Sequence, residues 1–208
     1  MSPVAGKKNT RQRLIDTALE LLWRNSYGSV SVDDICAASN VRKGSFYHYF
    51  PSKMDLTLAA MEADSVIAKE LHDRIFSASI DPVKRFELLA KATYEIQAEA
   101  AEKYGHVCGC PCTSLASEMA GQSETIRLKF EEISAIRKRY FESAIRDLIA
   151  EGVLPASTDA KAKAQELYTY LSGEIVLARI NNDLTSLKDS LQEGIKRTLG
   201  IRKEAIDE

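Results

Sequence analysis

Apolar residues recur with a helical period of 3.6 along most of this chain, which predicts an all-α protein. Leu14, Ile15, Ala18, Leu19, Leu21 and Leu22 define a first helix starting near Asn9 or Thr10. Trp23 ends it, as a core or helix-packing residue, and Asn25-Ser26-Tyr27-Gly28 is the stop, with Gly28 suited to a left-handed cap. Ser31-Val32-Asp33-Asp34 opens a second helix with a near capping box, in which Ser31 accepts from the backbone three residues on and Asp34 reaches back. Val30 and Ile35 fit the staple positions. This helix runs to about Ala38, and Ser39-Asn40-Val41 is a turn. A third helix falls in Val41–Lys53 and is stopped by Pro51, because the residue before a proline is pushed away from helical dihedrals. Phe46 and Phe50 belong to the core beneath it, since so short a helix is not stable alone. A longer helix followed by two short ones across a tight turn is a helix-turn-helix arrangement.

Further along, Ser52 caps a fourth helix whose apolar side is Leu56, Leu58, Met61, Val66, Ile67 and Leu71, ending at about Phe76. Asp81-Pro82 starts a fifth, with proline at the first helical position, and Gly105 ends it. A short helix from Ser114 to about Ala120 follows. Ser123 caps a long one that stops at Gly152. Two more helices, about Asp159–Asn181 and about Leu184–Leu199, complete the chain. Leu167, Tyr170, Leu171, Ile175, Leu177, Ala178 and Ile180 give the first of these a broad apolar face, and Ser172-Gly173 permits close helix approach. Residues 1–8 read as a basic arm in which Lys7 and Lys8 add phosphate contacts, or as a disordered terminus. The last eight residues are charged and expected to fray. The expected division is a helix-turn-helix unit at 1–56 and a larger helical domain at 57–208.

Charge sharpens this division. Residues 1–56 carry eight Lys or Arg against five Asp or Glu, while the chain as a whole is at −2. A basic head on an acidic body lets the head meet a polyanion while the body stays off it. No apolar run is long enough to span a membrane, and no secretory signal is visible, so a cytoplasmic protein with reduced cysteines is expected. The chain offers no Gly-rich phosphate loop, no HExxH and no obvious nucleophile–base pair. Its histidines, His48, His72 and His106, are scattered. An enzyme is not expected, nor a cofactor.

The chemistry concentrates in Val41–Lys53. Gly44 leaves backbone open to close approach, and a helix N-terminus favours a phosphate. Arg42 and Lys43 can read guanine edges or bind phosphate, and Ser45 can donate to either. Tyr47, His48 and Tyr49 offer donors to phosphates and flat surface to thymine methyls. Lys53 sits in the first turn of the fourth helix as a phosphate contact. A solvated loop with surface aromatics is the bland alternative.

The pattern Thr10…Ile15…Ala18…Leu22…Gly28…Ser31-Val32…Ile35…Ala38…Val41-Arg42-Lys43-Gly44-Ser45-Phe46-Tyr47-His48-Tyr49-Phe50…Ser52-Lys53…Leu56 resembles the DNA-binding domain of the TetR family of bacterial transcriptional regulators. The resemblance implies DNA contacts at Ser31, Arg42, Lys43, Ser45, Tyr47, His48, Tyr49 and Lys53. Asp33 departs from the pattern, because an acid there repels phosphate. The resemblance also implies a homodimer on a double-stranded DNA operator, built on the last two helices, and a body that binds an unknown small-molecule effector. Tyr94, Met119, Phe130, Tyr140, Phe141 and Tyr168 are candidate pocket residues, although residues of these types are more often core than cavity wall. Glu118 and Arg127 can neutralise a ligand charge or simply be solvated.

The segment His106-Val107-Cys108-Gly109-Cys110-Pro111-Cys112-Thr113 admits three readings. Cys108, Cys110 and Cys112 can be small residues in a tight turn. They can be a redox or electrophile switch, because a thiol at a helix N-terminus is more reactive. Gly-Cys followed by Ser123-Glu124-x-Ile126-Arg127 is similar to a subgroup of the same family that includes a regulator sensing electrophiles and oxidants through such a cysteine. They can also bind a soft metal with His106, although Cys-x-Cys-x-Cys lacks the usual paired spacing. Cys36, in the second helix, reads as a small buried hydrophobe.

Overall fold

The structure, a computed structural model, describes residues 9–201. The basic arm of residues 1–8 and the charged end beyond residue 201 lie outside the described residues. Among those described, every regular element is a helix. The first, α1 (Thr10–Arg24), is capped by Asn9, whose side chain accepts the Gln12 N–H at 2.8 Å. In α2 (Val32–Ser39) both halves of the capping box form: the Ser31 hydroxyl accepts from Asp34 N–H at 3.1 Å, and Ser31 N–H donates to the Asp34 carboxylate at 2.8 Å. Asn40 then takes the left-handed conformation at φ 50°, which asparagine tolerates better than most residues. Arg13 donates to the Ser39 and Asn40 carbonyls, both at 2.8 Å, and so ties this turn to α1.

Only seven residues long, α3 (Lys43–Tyr49) is held by what lies beneath it. Phe46 and Phe50 are buried with Leu14, Ile15, Ala18, Ile35 and Val41, and Leu56 and Ala60 of α4 (Lys53–Ile75) join the same core. Burying one such side chain is worth about 2–3 kcal/mol, enough to hold a helix that would not form in isolation.

The body comprises α5 (Pro82–Tyr104), α6 (Pro111–Met119), α7 (Glu124–Ala150), α8 (Ala160–Asn181), α9 (Thr185–Asp189) and α10 (Leu191–Leu199). Its main core lies between α5, α7, α8 and α10, around Phe86, Phe141, Ile145, Leu148, Leu167, Leu191 and Ile195. A smaller core, Met61, Cys112, Leu115, Ile126 and Ile133, seats α6 between α4 and α7.

Several expectations are corrected. Gly28 does not make a left-handed cap, since its φ is not positive. Asn25 ends α1 instead, with both its backbone N–H and its side-chain amide donating to the Leu21 carbonyl at 3.0 Å. The short helix α6 starts at Pro111 rather than Ser114, because proline is preorganised for the first helical position, and Cys110 becomes the N-cap. The last helix is broken at Ser190, whose hydroxyl bonds back to the Ser186 carbonyl. Val66 and Ile67 are exposed rather than core, at 48 % and 61 %. Trp23 is half-buried, with its indole N–H directed across to the body.

His72 of α4 is buried against Phe76, Phe141 and Tyr140. Burial, with the Arg137 charge adding to it, pulls its imidazole from 6.5 to about 4, so the folded protein prefers the neutral ring. The stability this preference contributes is complete above pH 6.5 and is lost as pH falls towards 4. Thermal or urea unfolding across that window should show a loss of about 3 kcal/mol that His72→Phe lacks.

Candidate nucleic-acid interface and the chamber behind it

With Phe46 and Phe50 turned inward, the α3 helix presents Lys43, Gly44, Ser45, Tyr47, His48 and Tyr49 to solvent, and Arg42 stands exposed at its N-cap. This division follows from the helical period, which places residues 46 and 50 one turn apart on the buried side. A methyl group built on Gly44 would meet nothing within 4 Å, so no contact inside the chain requires glycine there. Ser31 is also exposed, but its hydroxyl is engaged with the Asp34 carboxylate at 2.6 Å. Lys43 pairs with Asp33 at 2.8 Å on the open surface. An exposed pair of this kind contributes at most about 1 kcal/mol.

Lys53 is placed differently from the others. Its ammonium donates to the Tyr27 and Val30 carbonyls at 2.8 Å and lies 3.8 Å from the Tyr27 ring centroid. It clamps the loop between α1 and α2, and burial pulls it below the usual lysine range. The same loop is gripped from the body. Tyr27 N–H and Gly28 N–H each donate to the Glu118 carboxylate at 2.8 Å. Glu118 therefore does not serve as a free ligand charge; it joins the end of α6 to the head.

At the other end of α6, a chamber of about 290 Å³ opens between α1, α4, α5, α7 and α8. Its wall includes Leu19 and Trp23 of α1, so the head itself closes one side. The Trp23 indole donates to the Gly109 carbonyl at 2.6 Å. Gln97 holds the same residue twice, accepting from Gly109 N–H at 3.0 Å and donating to Gly109 O at 3.2 Å. Gly109 has φ +73°, a left-handed backbone that favours glycine, and a Cβ there would lie 3.0 Å from Arg179 Cδ, so the Arg179 side chain would have to give way.

The three clustered cysteines point in different directions. Cys108 is fully buried, its thiol donating to the His106 carbonyl at 3.5 Å, and burial pushes that thiol up. Cys112 is buried too. Its thiol donates to Asp64 at 3.2 Å, and burial followed by the Asp64 charge pushes it well above the ordinary thiol range. Cys110 is half-buried and accepts from Arg137 at 3.5 Å, while Arg137 also meets Asp64 at 3.3 Å. Cys110 lines both the chamber and a second cleft of about 350 Å³ between α1, α6 and α8. Its thiol is therefore the reachable one of the three. Among the described residues no three His, Cys, Asp or Glu side chains gather as a metal site needs, which corrects the metal reading of this segment.

Of the candidate pocket residues, Tyr168 and Phe141 line the chamber. Tyr94 packs on the main body core, and Met119 and Phe130 pack on the α6 core. Tyr140 stacks on His72 and bonds to Asp73 through its hydroxyl. Arg127 pairs with Glu124 and Glu131 on the surface. Sequence reasoning missed Arg137, Asp64, Trp23 and Gln97. Arg137 had a legible signal: it is four residues from both Ile133 and Phe141, on the face of α7 where an apolar residue is expected.

Comparison with known proteins gives a consistent picture. The family model for bacterial regulatory proteins of the tetR family matches residues 14–60, and that for the tetracyclin repressor-like C-terminal domain matches residues 89–193. The transcriptional regulator AcuR of Cereibacter sphaeroides is 33% identical over 170 residues, covering 81% of this chain and 76% of its own. The HTH-type transcriptional repressor NemR of Escherichia coli is 22% identical, covering 88% and 90%. A crystal structure of a TetR regulatory protein from Rhodobacter sphaeroides superposes with a TM-score of 0.77 at 31% identity, covering 92% of this chain and 97% of that one. The reduced form of E. coli NemR superposes with a TM-score of 0.78 at 21% identity, covering 94% and 100%, and shares the fold.

Proposed function

Because this chain belongs to the TetR family of bacterial regulatory proteins, we propose that it is a dimeric repressor released from a pseudo-palindromic operator when its chamber is occupied or Cys110 is modified. The observation that carries this reading is the physical continuity between the chamber and the head. One wall of the chamber is α1, and the helix that Cys110 caps ends on the α1–α2 loop through Glu118.

In this reading residues 1–56 are the DNA-binding unit and residues 57–208 the effector and dimerisation domain. Arg42, Lys43, Ser45, Tyr47, His48 and Tyr49 enter the major groove, and Gly44 lets backbone approach a phosphate. Ser31 flanks the groove at the α2 N-terminus. Lys53 acts chiefly by fixing the loop, with one donor left for a phosphate. Two heads reach successive major grooves of one DNA face through a dimer on α8 and α10. Leu177 and Ile180 of α8 are 54 % and 71 % exposed and lie one turn apart beside Gly173, where a Cβ would meet nothing within 4 Å. Displacing Gly109 or the start of α6 shifts Trp23 and the α1–α2 loop, and with them the spacing of the two heads. About 1–3 kcal/mol of differential affinity is enough for useful control.

Footprinting on the DNA flanking its own gene tests the assignment. Two protected half-sites about one helical turn apart, or slightly more, are expected. Absence of any specific protection counts against a regulator. A second expectation concerns Asp33, whose charge faces the same phosphates as its partner Lys43. Asp33→Asn should tighten operator binding about two- to tenfold, with stability changed by less than about 1 kcal/mol. Anisotropy titrations over a range of salt read both the gain and its electrostatic origin.

A further inference from the structure

The chamber holds polar chemistry that thiol modification alone does not use. Of the residues lining it, Asp64 and Arg137 carry charge, one of each sign and 3.3 Å apart, while His72 is kept neutral by burial. The chamber is therefore close to electrically balanced before anything enters. Arg137 is nevertheless short of acceptors. A guanidinium has five N–H donors and no acceptor. Here it makes only two contacts among the described residues, 3.5 Å to the Cys110 sulfur and a long 3.3 Å to Asp64, and its Nε is buried without a partner. A buried donor left unpaired is costly, so an acceptor delivered to this guanidinium is rewarded. The remaining wall is largely apolar, from Leu71, Leu89, Phe141, Leu171 and Ile175. Ile67 and Ile96, 61 % and 38 % exposed, belong to the same lining and form an apolar rim where it meets solvent.

From this we propose that the chamber binds a small uncharged organic molecule of the ketone or ester class, its carbonyl oxygen accepting from Arg137 and its hydrocarbon body lying on the apolar wall. The class follows from the charge balance. A carboxylate of equal size brings a second negative charge to a site where Asp64 already matches the charge of Arg137, and a buried unmatched charge is strongly disfavoured. A hydrocarbon leaves the guanidinium unpaired. A hydroxyl brings a donor of its own, and the nearby Asp64 oxygen already receives from Cys112 and Arg137. The size follows from the volume, which sits at the small end of organic-ligand sites, about 300 Å³ and upward. This ligand class deepens the proposed function, since it identifies what the effector chamber recognises.

The chain supplies its own reporter. Trp23 is its single tryptophan, and it lines the chamber. The full-length protein, free of DNA, is titrated with 2-octanone and, separately, with octanoate while Trp23 emission is followed and heats are measured by calorimetry. Saturable binding of 2-octanone is expected, with octanoate at least about tenfold weaker. Arg137→Met should weaken 2-octanone at least about tenfold. Because that change leaves Asp64 unpaired and can disturb folding, Ala92→Phe supplies a second test: it fills the chamber, keeps the polar pair, and should remove binding. Octanoate binding as tightly as 2-octanone overturns the proposal. So does undiminished 2-octanone binding in Ala92→Phe, or no saturable binding of 2-octanone at all. Operator release is scored separately, so 2-octanone binding without release supports the ligand class and overturns the control reading alone.

Discussion

Replacing Arg42 and Tyr47 together by alanine is expected to lower operator affinity at least about 100-fold while leaving the melting temperature within a degree or two. Each groove contact is worth about 1–3 kcal/mol, and a symmetric dimer loses every contact twice. The folded chain hardly uses either side chain. Arg42 makes no side-chain cap, and Tyr47 is half exposed, its ring meeting the edge of Phe46 at 5.1 Å between centroids. Surface changes of this kind usually alter stability by less than about 0.5 kcal/mol. Phe46→Ala is the contrasting variant. It opens the head core at a fully buried position and should cost about 3–5 kcal/mol, so its loss of DNA binding comes with loss of structure. Gel shifts alongside thermal melts separate the two. If the double variant binds within about threefold of the parent, α3 is not the reading helix, since even one lost contact per half-site exceeds that.

The second large effect concerns transmission. Among the contacts that join body to head, two run from the ends of α6: Trp23 to Gly109 beside its start, and Glu118 near its end to the amides of Tyr27 and Gly28; His106 to the Arg24 carbonyl and Arg179 to the Asn25 carbonyl lie beside them. Trp23→Phe removes the indole donor and keeps an aromatic ring. Glu118→Ala removes the carboxylate that accepts from the loop, and water can replace it because the site is exposed. The double variant is therefore expected to fold and to bind operator. Its release on Cys110 modification should shrink from about 5–150-fold, the usual range of coupling, to about twofold or less. Full release in the double variant, measured by anisotropy before and after modification, would show that the signal travels by another route.

How much of this was legible from residues alone differs between head and body. The head was readable because each local signal agrees with the others. Ser31 and Asp34 cap one another, Asn40 makes the turn, and Phe46 and Phe50 fall one helical turn apart. Helical periodicity in the body gave the helices but not their environment. Ile67 and Phe141 carry the same apolar signal, yet one sits on the rim of a chamber and the other is buried with the main core. Tyr94, Met119, Phe130 and Tyr140 are equally suited to a pocket by sequence, and packing between helices distant in sequence sets them, partly buried, against the cores rather than in the chamber wall. Lys53 reads from sequence as a phosphate contact alone, because the Tyr27 and Val30 carbonyls it also clamps are backbone groups that carry no sequence signature. The break at Ser190 was hidden because Leu187, Leu191 and Ile195 keep their spacing of four across it. Arg137 was the exception that could have been found, as a charge where the α7 period expects an apolar residue.

The central claim is that events in the chamber govern a DNA-reading head, and one measurement tests it most directly. Operator affinity on the DNA flanking its own gene is compared before and after Cys110 is alkylated with N-ethylmaleimide, with the modified site confirmed by mass spectrometry. Cys36, Cys108 and Cys112 are buried, which favours reaction at Cys110. The expected result is at least about tenfold weaker binding for the alkylated protein, and unchanged binding for Cys110→Ser given the same treatment. Equal affinity of the fully alkylated and untreated protein for the operator would contradict the account.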